Sequence, residues 1–343
     1  MKRIVLAFSG GLETSVAIPW LAERYGAEVV AVTIDLGQGR ELEEVRDRAL
    51  ATGAVRAHVL DARDEFAQRY LLRGLKADAT APGGTPLGAA LSAPLIAQQL
   101  VQVAAIEQAT AIAHAGEGAA IDAAARILNP ELLVLTPARE WVMTEAQQMA
   151  YVRARQIPLL PEPLSLTVAA VPPGRDGAWP ASPAEPAAVD VAFERGVPTG
   201  INGVAMPILD LYDSLGTIAA AHGVGHPKGR DLRNAPAAVV LHAAHLALRT
   251  AVSSDDLNRL CGVISREYAD GVGRGFWFTP ARQALDAFVN MVNERVTGIV
   301  RLRLFRGDCE ILDATETPPA SKLVAIMTND SPQTTDARLS THD

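Results

Sequence analysis

A seven-residue segment near the start of the chain carries the side chains best suited to bind an anion. It reads Ser-Gly-Gly-Leu-Glu-Thr-Ser over residues 9–15, directly after a short apolar run. Glycines let the backbone approach an anion, and the first N–H groups of a following helix point at it with a favourable dipole. The hydroxyls of Ser9, Thr14 and Ser15 can donate further hydrogen bonds to phosphate oxygens. The segment therefore predicts a phosphate site; the alternative is a tight turn capped by hydroxyls.

This segment differs from the two common phosphate-binding motifs. It lacks the glycine spacing of the dinucleotide fingerprint and the Gly-Lys-Ser/Thr ending of the Walker loop. A Gly-Gly turn alone therefore does not distinguish a phosphate site from a tight turn capped by hydroxyls. The position of the turn in the predicted fold provides further evidence.

The first half of the chain alternates short β-branched runs with amphipathic helical patterns. Strands are predicted at residues 2–8, 28–35, 55–61, 110–114 and 132–136. This alternation predicts an α/β fold with a doubly wound parallel sheet, in which ligands bind at the carboxyl ends of the strands where the strand order reverses. With the first strand central, the loops at 9–15, 35–39 and 114–118 surround one crevice, which favours a nucleotide site.

Composition divides the chain into four predicted parts. Residues 1–160 form a nucleotide-binding α/β domain, and residues 161–188 form a connection rich in Pro and Ala. A second domain of α+β type is predicted over residues 189–314. Residues 315–343 are rich in Thr, Ser, Pro and Asp, and we expect them to form a flexible tail.

Charge and composition exclude several classes of protein. The 343 residues include 39 acidic and 31 basic side chains, a formal net charge of −8 that argues against nucleic acid as a partner. The two cysteines, Cys261 and Cys309, form neither a disulfide framework nor a zinc set. The apolar run at the N-terminus is too short for a signal peptide, and no segment has the length of a membrane span. We expect a cytoplasmic protein that acts on small molecules, without a membrane partner.

Seven blocks of sequence make the chain resemble the argininosuccinate synthases of the N-type ATP pyrophosphatase group. They are LAFSGGLETSVAIPWL, TIDLGQG, TPLGAALSAPLI, AHAGEG, TPAREW, FERGVPTGING and GFWFTPARQALDAFVNMVNERVTGIVRLRLFRG. The resemblance implies an enzyme that uses ATP and Mg²⁺ to adenylylate the ureido oxygen of citrulline with release of pyrophosphate. The amine of aspartate then displaces AMP.

The resemblance also implies roles for residues in the three loops. It assigns the triphosphate to Ala7, Phe8, Ser9, Gly10, Gly11, Leu12, Glu13, Thr14 and Ser15. Among these, Ser9, Glu13 and Ser15 are the catalytic candidates. The remaining nucleotide-binding candidates are Thr33, Ile34, Gln38, His114, Gly116 and Gly118. The expected cofactors are ATP and Mg²⁺, without a separate set of protein metal ligands.

Several positions depart from the family pattern, mostly in the segments that would bind substrate. The acid of the glycine turn is Glu13 where the family has aspartate, and Glu117 takes the position of a lysine. Charge-assisted contacts contribute about 1.5–3 kcal/mol each, so losing several would abolish tight binding of citrulline and aspartate. The candidate substrate residues are Ala81, Ala89, Ala90, Glu117, Asp122 and Ser165. For Asp122 the alternative is an i,i+4 ion pair with Arg126 on the surface of a helix.

Three hypotheses for the function follow. The sequence favours an AMP- and pyrophosphate-forming ligase with substrates other than citrulline and aspartate. The first alternative is a non-catalytic relative that binds nucleotide and acts through a partner, and the second is an authentic argininosuccinate synthase. The resemblance implies a C-terminal arm that helps family members to assemble, but this chain has an unrelated tail in its place. We therefore expect a homo-oligomer and leave open whether it is a dimer or a tetramer.

Overall fold

A parallel five-stranded sheet lies at the centre of the first half of the chain. The computed structural model describes residues 2–37, 42–81, 86–115, 118–159, 183–225 and 235–316. The strands of this sheet are β1 Arg3–Ala7, β2 Glu28–Asp35, β3 Arg56–Asp61, β4 Ala111–Ala113 and β5 Leu133–Leu135. Their order is β3-β2-β1-β4-β5, with β1 hydrogen-bonded to both β2 and β4. The order reverses at β1, so the predicted doubly wound α/β fold is confirmed.

Helices cover both faces of this sheet. They are α1 Leu12–Tyr25, α2 Leu42–Ala51, α3 Arg63–Phe66, a π-helical turn Ala67–Leu71, α4 Leu72–Lys76, α5 Gly88–Ile106, α6 Ala119–Leu128, α7 Pro137–Glu140 and α8 Glu145–Arg155. Side chains alternate across a strand, so Val5 of β1 joins the core beneath α5, whereas Ile4 and Leu6 join the core beneath α1. Because β1 is buried from both sides, the turn at residues 9–15 has a rigid base.

An antiparallel sheet follows in the second half. Its strands are β6 Ala187–Glu194, β7 Val197–Ile201, β8 Val204–Ala205, β9 Gly298–Phe305 and β10 Asp308–Glu316, in the order β10-β9-β6-β7-β8. The helices of this half are α9 Ile208–Ala221, α10 Pro236–Val252, α11 Asp255–Gly273 and α12 Pro280–Asn293. Side chains of β9 are buried at every second position, and α9 and α10 cover that face.

The ends of the second sheet differ slightly from the predicted domain limits. Strand β6 begins at Ala187, before the predicted start of the second domain at residue 189. Strand β10 runs to Glu316, whose partner is Gly298, so the first two residues of the predicted tail are part of a strand. Residues 161–182 of the predicted connection and residues 317–343 of the tail lie outside the described residues. The division into domains stays a prediction.

Two helices of the second half complete the core of the first sheet. Tyr268 and Val272 of α11, together with Trp277, are buried in the same cluster as Leu95 of α5. The ring of Trp277 stacks on Tyr70 with 4.8 Å between centroids. The first sheet therefore depends on residues from both halves of the chain. No helix in the described part of the chain is long and apolar enough to cross a membrane.

Candidate active site

A cavity of about 670 Å³ opens at the carboxyl ends of β1, β2 and β4. The predicted nucleotide residues that line it are Ala7, Phe8, Ser9, Gly11, Leu12, Glu13, Thr14, Thr33, Ile34 and His114. Their loops are distant in sequence and adjacent in space because parallel strands direct all their carboxyl ends to one edge. The structure therefore brings the turn after β1, the last residues of β2 and the residues after β4 to one cavity, whereas the described residues 35–37 of the predicted loop after β2 do not line it.

The turn after β1 is held by its own hydroxyls. The N–H of Gly11 donates to Ser9 Oγ over 3.4 Å, and Thr14 Oγ1 donates to the carbonyl of Gly11 over 3.1 Å. Gly10 adopts a φ of 76°, which glycine tolerates better than residues with a Cβ. Helix α1 starts directly after Gly11, so its first N–H groups are directed at the turn. The hydroxyls of Ser9 and Thr14 thus hold the turn, and no side chain caps the start of α1, whose N-cap is Gly11.

The end of β2 fixes the position of that turn. Thr33 is buried, and its Oγ1 donates to the carbonyl of Phe8 over 3.0 Å, while the N–H of Phe8 donates to the carbonyl of Val32 over 2.8 Å. Ile34 is buried beside it and contributes apolar surface to the cavity. An apolar wall next to a phosphate-type turn suits the base of a nucleotide.

A histidine, a carboxylate and an arginine form a chain of contacts after β4. His114 Nε2 lies 2.6 Å from Asp122 Oδ1, and Arg139 donates to Asp122 Oδ2 over 2.9 Å. Burial raises the pKa of Asp122, but the hydrogen bonds from His114 and Arg139 outweigh it and hold that pKa below its ordinary value. Asp122 thus pairs with Arg139 rather than with Arg126. Gly118 is the residue that precedes α6.

Three buried polar atoms around the cavity have no partner among the described residues. They are Ser15 Oγ, His114 Nδ1 and Gln148 Oε1, and their residues are exposed by only 1%, 2% and 6%. His114 and Gln148 line the cavity, and Ser15 follows Thr14, which also lines it. A buried polar atom without a partner costs about 1–3 kcal/mol. A polar ligand in this cavity would recover that free energy.

The start of α8 and the residues just before it form one wall of the cavity, which no sequence motif predicted. Met143, Glu145 and Gln148 line the cavity from this side. The available signal was a capping box, in which Thr144 Oγ1 accepts from the N–H of Gln147 and the side chain of Gln147 accepts from the N–H of Thr144. That pattern locates the start of α8 and hence the position of Gln148 in its first turn.

Of the predicted substrate residues, Asp122 contacts the lining residue His114, whereas Ala81 and Ala90 do not line the cavity. Ala81 and Ala90 pack against the core of the first sheet, and Ala89 lies in α5. The side chain of Ala89 lies outside the described part of the structure. Gln38, Gly116, Glu117 and Ser165 lie outside the described residues.

The described wall carries acidic but no basic side chains. Glu13 and Glu145 line the cavity, and the described lining contains neither lysine nor arginine. No group of three or more metal-binding side chains occurs among the described residues. Mg²⁺ is commonly held by one or two carboxylates together with the phosphates of a nucleotide. The two glutamates therefore fit a metal that arrives with ATP.

Comparison with known proteins gives the family. The description "Arginosuccinate synthase N-terminal HUP domain" matches residues 3–158, and "Arginosuccinate synthase C-terminal domain" matches residues 178–337. The argininosuccinate synthases of Dehalococcoides mccartyi and Symbiobacterium thermophilum are 36% and 39% identical to this chain. These matches cover 91% and 89% of this chain and 86% of each relative. The chain belongs to the argininosuccinate synthase family.

Membership of the argininosuccinate synthase family confirms the resemblance deduced from the sequence motifs. It makes the protein an ATP-dependent, AMP-forming C–N ligase by class. The argininosuccinate synthase of Geobacillus kaustophilus agrees, at 36% identity over 89% of this chain and 84% of its own length. Among solved structures, the U34-tRNA thiolase NcsA from Methanococcus maripaludis covers 49% of this chain and 61% of its own. Its TM-score of 0.33 and identity of 14% are too low to bear on function.

Proposed function

We propose that this chain uses ATP to adenylylate a carbonyl or ureido oxygen, with release of pyrophosphate, and then joins the activated carbon to an amine with release of AMP. The observation that carries the proposal is the set of unpartnered buried atoms around the Ser-Gly-Gly turn. Ser15 Oγ supplies a hydroxyl donor next to the N-terminus of α1. Gln148 Oε1 supplies an acceptor on the opposite wall. A nucleotide offers both the anionic and the N–H groups that these atoms lack.

Different residues of the cavity would bind the triphosphate, the metal and the adenine of ATP. The N–H groups at the start of α1 and the Ser15 hydroxyl would hold the triphosphate, since both act where negative charge is bound. Glu13, with Glu145, would hold Mg²⁺, which neutralises charge on the leaving pyrophosphate. Thr33 and Ile34 would flank the adenine. These roles extend the sequence predictions and add Glu145 and Gln148 to them.

The first candidate for the substrates is citrulline with aspartate. Identities of 36–39% to argininosuccinate synthases, over about nine-tenths of the chain, favour this candidate more than the altered-substrate hypothesis. The second candidate is a different acceptor or amine. It is supported by the absence of lysine and arginine from the described cavity wall, because two substrates that carry carboxylates need cationic partners.

Isotope exchange between ATP and pyrophosphate tests the adenylylation step. We expect exchange with citrulline or, failing that, with pooled small carbonyl and amide metabolites. Formation of argininosuccinate on adding aspartate, detected by mass spectrometry, separates the two candidates. ATP binding without exchange in either case would contradict the proposal and favour the non-catalytic relative.

A serine variant links the exchange to this cavity. Ser15→Ala removes a hydroxyl that has no described protein partner, so the fold should tolerate it. Loss of one hydrogen bond to a charged group, about 1.5–3 kcal/mol, predicts a 10- to 100-fold fall in exchange. Ser265→Ala on α11, whose hydroxyl donates to the carbonyl of Cys261, is the matched control and should keep the wild-type rate. Unchanged exchange in Ser15→Ala would exclude the Ser15 hydroxyl, which lies behind the described lining of the cavity, as a ligand of the triphosphate.

A further inference from the structure

His114 has one ring nitrogen in contact with a carboxylate and one without a described partner. Its side chain is 2% exposed and lines the cavity, and Nε2 lies 2.6 Å from Asp122 Oδ1. The other nitrogen, Nδ1, is buried and has no partner among the described residues. A structural histidine in this position would have both nitrogens paired. One paired and one unpaired nitrogen is the pattern of a residue that accepts a proton.

The carboxylate decides which nitrogen carries the proton. Asp122 is ionised, because its pKa is held below the ordinary value, so Nε2 must be the protonated nitrogen that donates to it. Arg139 holds the second oxygen of Asp122 and prevents the carboxylate from turning away. With Nε2 engaged by Asp122, Nδ1 is the ring nitrogen that can offer a lone pair. The other acidic side chains of the described wall are Glu13 and Glu145.

We infer that His114 is the general base of the amine-transfer step, with Asp122 as its positioning residue. This inference rests on the proposed function. The lone pair of the amine nitrogen forms the C–N bond to the adenylylated carbon while its proton passes to His114 Nδ1. The C–O bond to AMP then breaks, and its electron pair leaves on the phosphate oxygen of AMP. No further reactant is required for this balance.

The adenylylation step needs no such base, because the attacking carbonyl or ureido oxygen carries no proton that must be removed first. The two half-reactions therefore depend differently on His114. A histidine that only bound nucleotide would affect both of them. This difference makes the inference testable with one variant.

The variant is His114→Gln, since the side-chain amide of glutamine can keep the donor to Asp122 while removing the basic nitrogen. We expect amine-dependent AMP formation to fall about 100-fold or more, the usual contribution of a general base, and to fall at least about tenfold more than ATP–pyrophosphate exchange does. Hydroxylamine, which is neutral at the assay pH, should restore much of the lost rate. His58→Gln is the matched control, because His58 Nε2 also contacts a carboxylate, that of Glu107, away from the cavity.

A spectroscopic measurement tests the same inference without turnover. Nitrogen NMR of the ligand-free protein with labelled histidine should show His114 Nε2 protonated and Nδ1 unprotonated at neutral pH. The opposite tautomer, or equal loss of exchange and amine transfer in His114→Gln, would overturn the role of His114 alone. Wild-type amine transfer in His114→Gln would do the same. Absence of exchange in the wild-type protein would instead remove the proposed function and this inference with it.

Discussion

Asp78 joins the two halves of the chain through a buried network, and substituting it should destabilise the protein strongly. Its Oδ1 accepts from His245 Nδ1 over 2.7 Å, and its Oδ2 accepts from Arg249 Nε over 2.6 Å. His245 Nε2 lies 2.8 Å from Asn293 Oδ1, whose amide nitrogen donates to the carbonyls of Lys76 and Val289. Both nitrogens of His245 thus face oxygens, and its side chain is completely buried.

The size of the effect follows from these contacts. Asp78→Asn replaces one carboxylate oxygen by an NH₂ group, which must then face a donor of His245 or Arg249. Each charge-assisted hydrogen bond contributes about 1.5–3 kcal/mol, and breaking a buried ion pair costs about 3–5 kcal/mol. We therefore expect the free energy of unfolding to fall by about 3–5 kcal/mol. The exposed pair of Asp256 and Arg259 provides the control. Asp256→Asn should change the free energy of unfolding by less than about 1 kcal/mol.

The pH dependence gives a second signature of the same network. Burial raises the pKa of Asp78, but His245 and Arg249 outweigh it, and the pKa is lower than in the unfolded chain. A carboxyl whose pKa is depressed by folding stabilises the protein fully above its unfolded pKa, near 4, and loses this contribution as the pH falls through the folded pKa. Asp78→Asn should therefore lose most stability at neutral pH and little in strong acid.

Urea unfolding followed by circular dichroism, at neutral and acidic pH, measures both quantities. Similar unfolding midpoints for wild type and Asp78→Asn at neutral pH would refute the reasoning. So would a fall in stability that is the same at every pH, because it would mean that the charge of Asp78 is not the cause.

Two further predictions concern a glycine and the cysteines. A Cβ at Gly196, whose φ is +76°, would lie 1.8 Å from Asn293 Oδ1, so Gly196→Ala should cost more than about 2 kcal/mol in urea unfolding. Gly203 has a similar φ, but a Cβ built there meets no heavy atom within 4 Å, so Gly203→Ala should cost about 1 kcal/mol. Equal losses of stability in the two variants would contradict the steric argument. Burial raises the pKa of Cys309 to about 11 and also raises that of Cys261, so iodoacetamide should alkylate the folded protein about 100-fold more slowly than free cysteine. Rapid alkylation without urea would contradict the burial of Cys261 and the partial burial of Cys309.

The central sheet and the glycine turn were predictable because their signals are local. Alternating apolar runs define the strands, and the segment at residues 9–15 combines turn glycines with capping hydroxyls within one strand–helix unit. The convergence of His114 with that turn followed from a rule for parallel sheets and required no knowledge of side chains. Each of these steps depends on spacing along the chain.

The missing parts of the site depend on contacts between distant residues. Arg139 reaches Asp122 from a different helix, so helical spacing pointed to Arg126 instead. The pairing of His245 with Asp78 joins residues that are 167 positions apart along the chain, so no local pattern indicates it. Burial and pairing of this kind are properties of the packed chain, and a single sequence does not display them.

Ala81 and Ala90 are predicted substrate residues, but their positions in the structure do not support direct contact with a substrate in the described cavity. They pack against the core of the first sheet instead of lining the described cavity, so their small size does not by itself define the shape of a new substrate. What still distinguishes the substrate candidates is charge. Citrulline and aspartate both carry carboxylates, and the described wall offers them no lysine or arginine, only neutral polar groups, two further carboxylates and His114. A synthase of argininosuccinate would therefore have to recruit its cations from residues beyond that wall, whereas a ligase for a neutral acceptor would not need them.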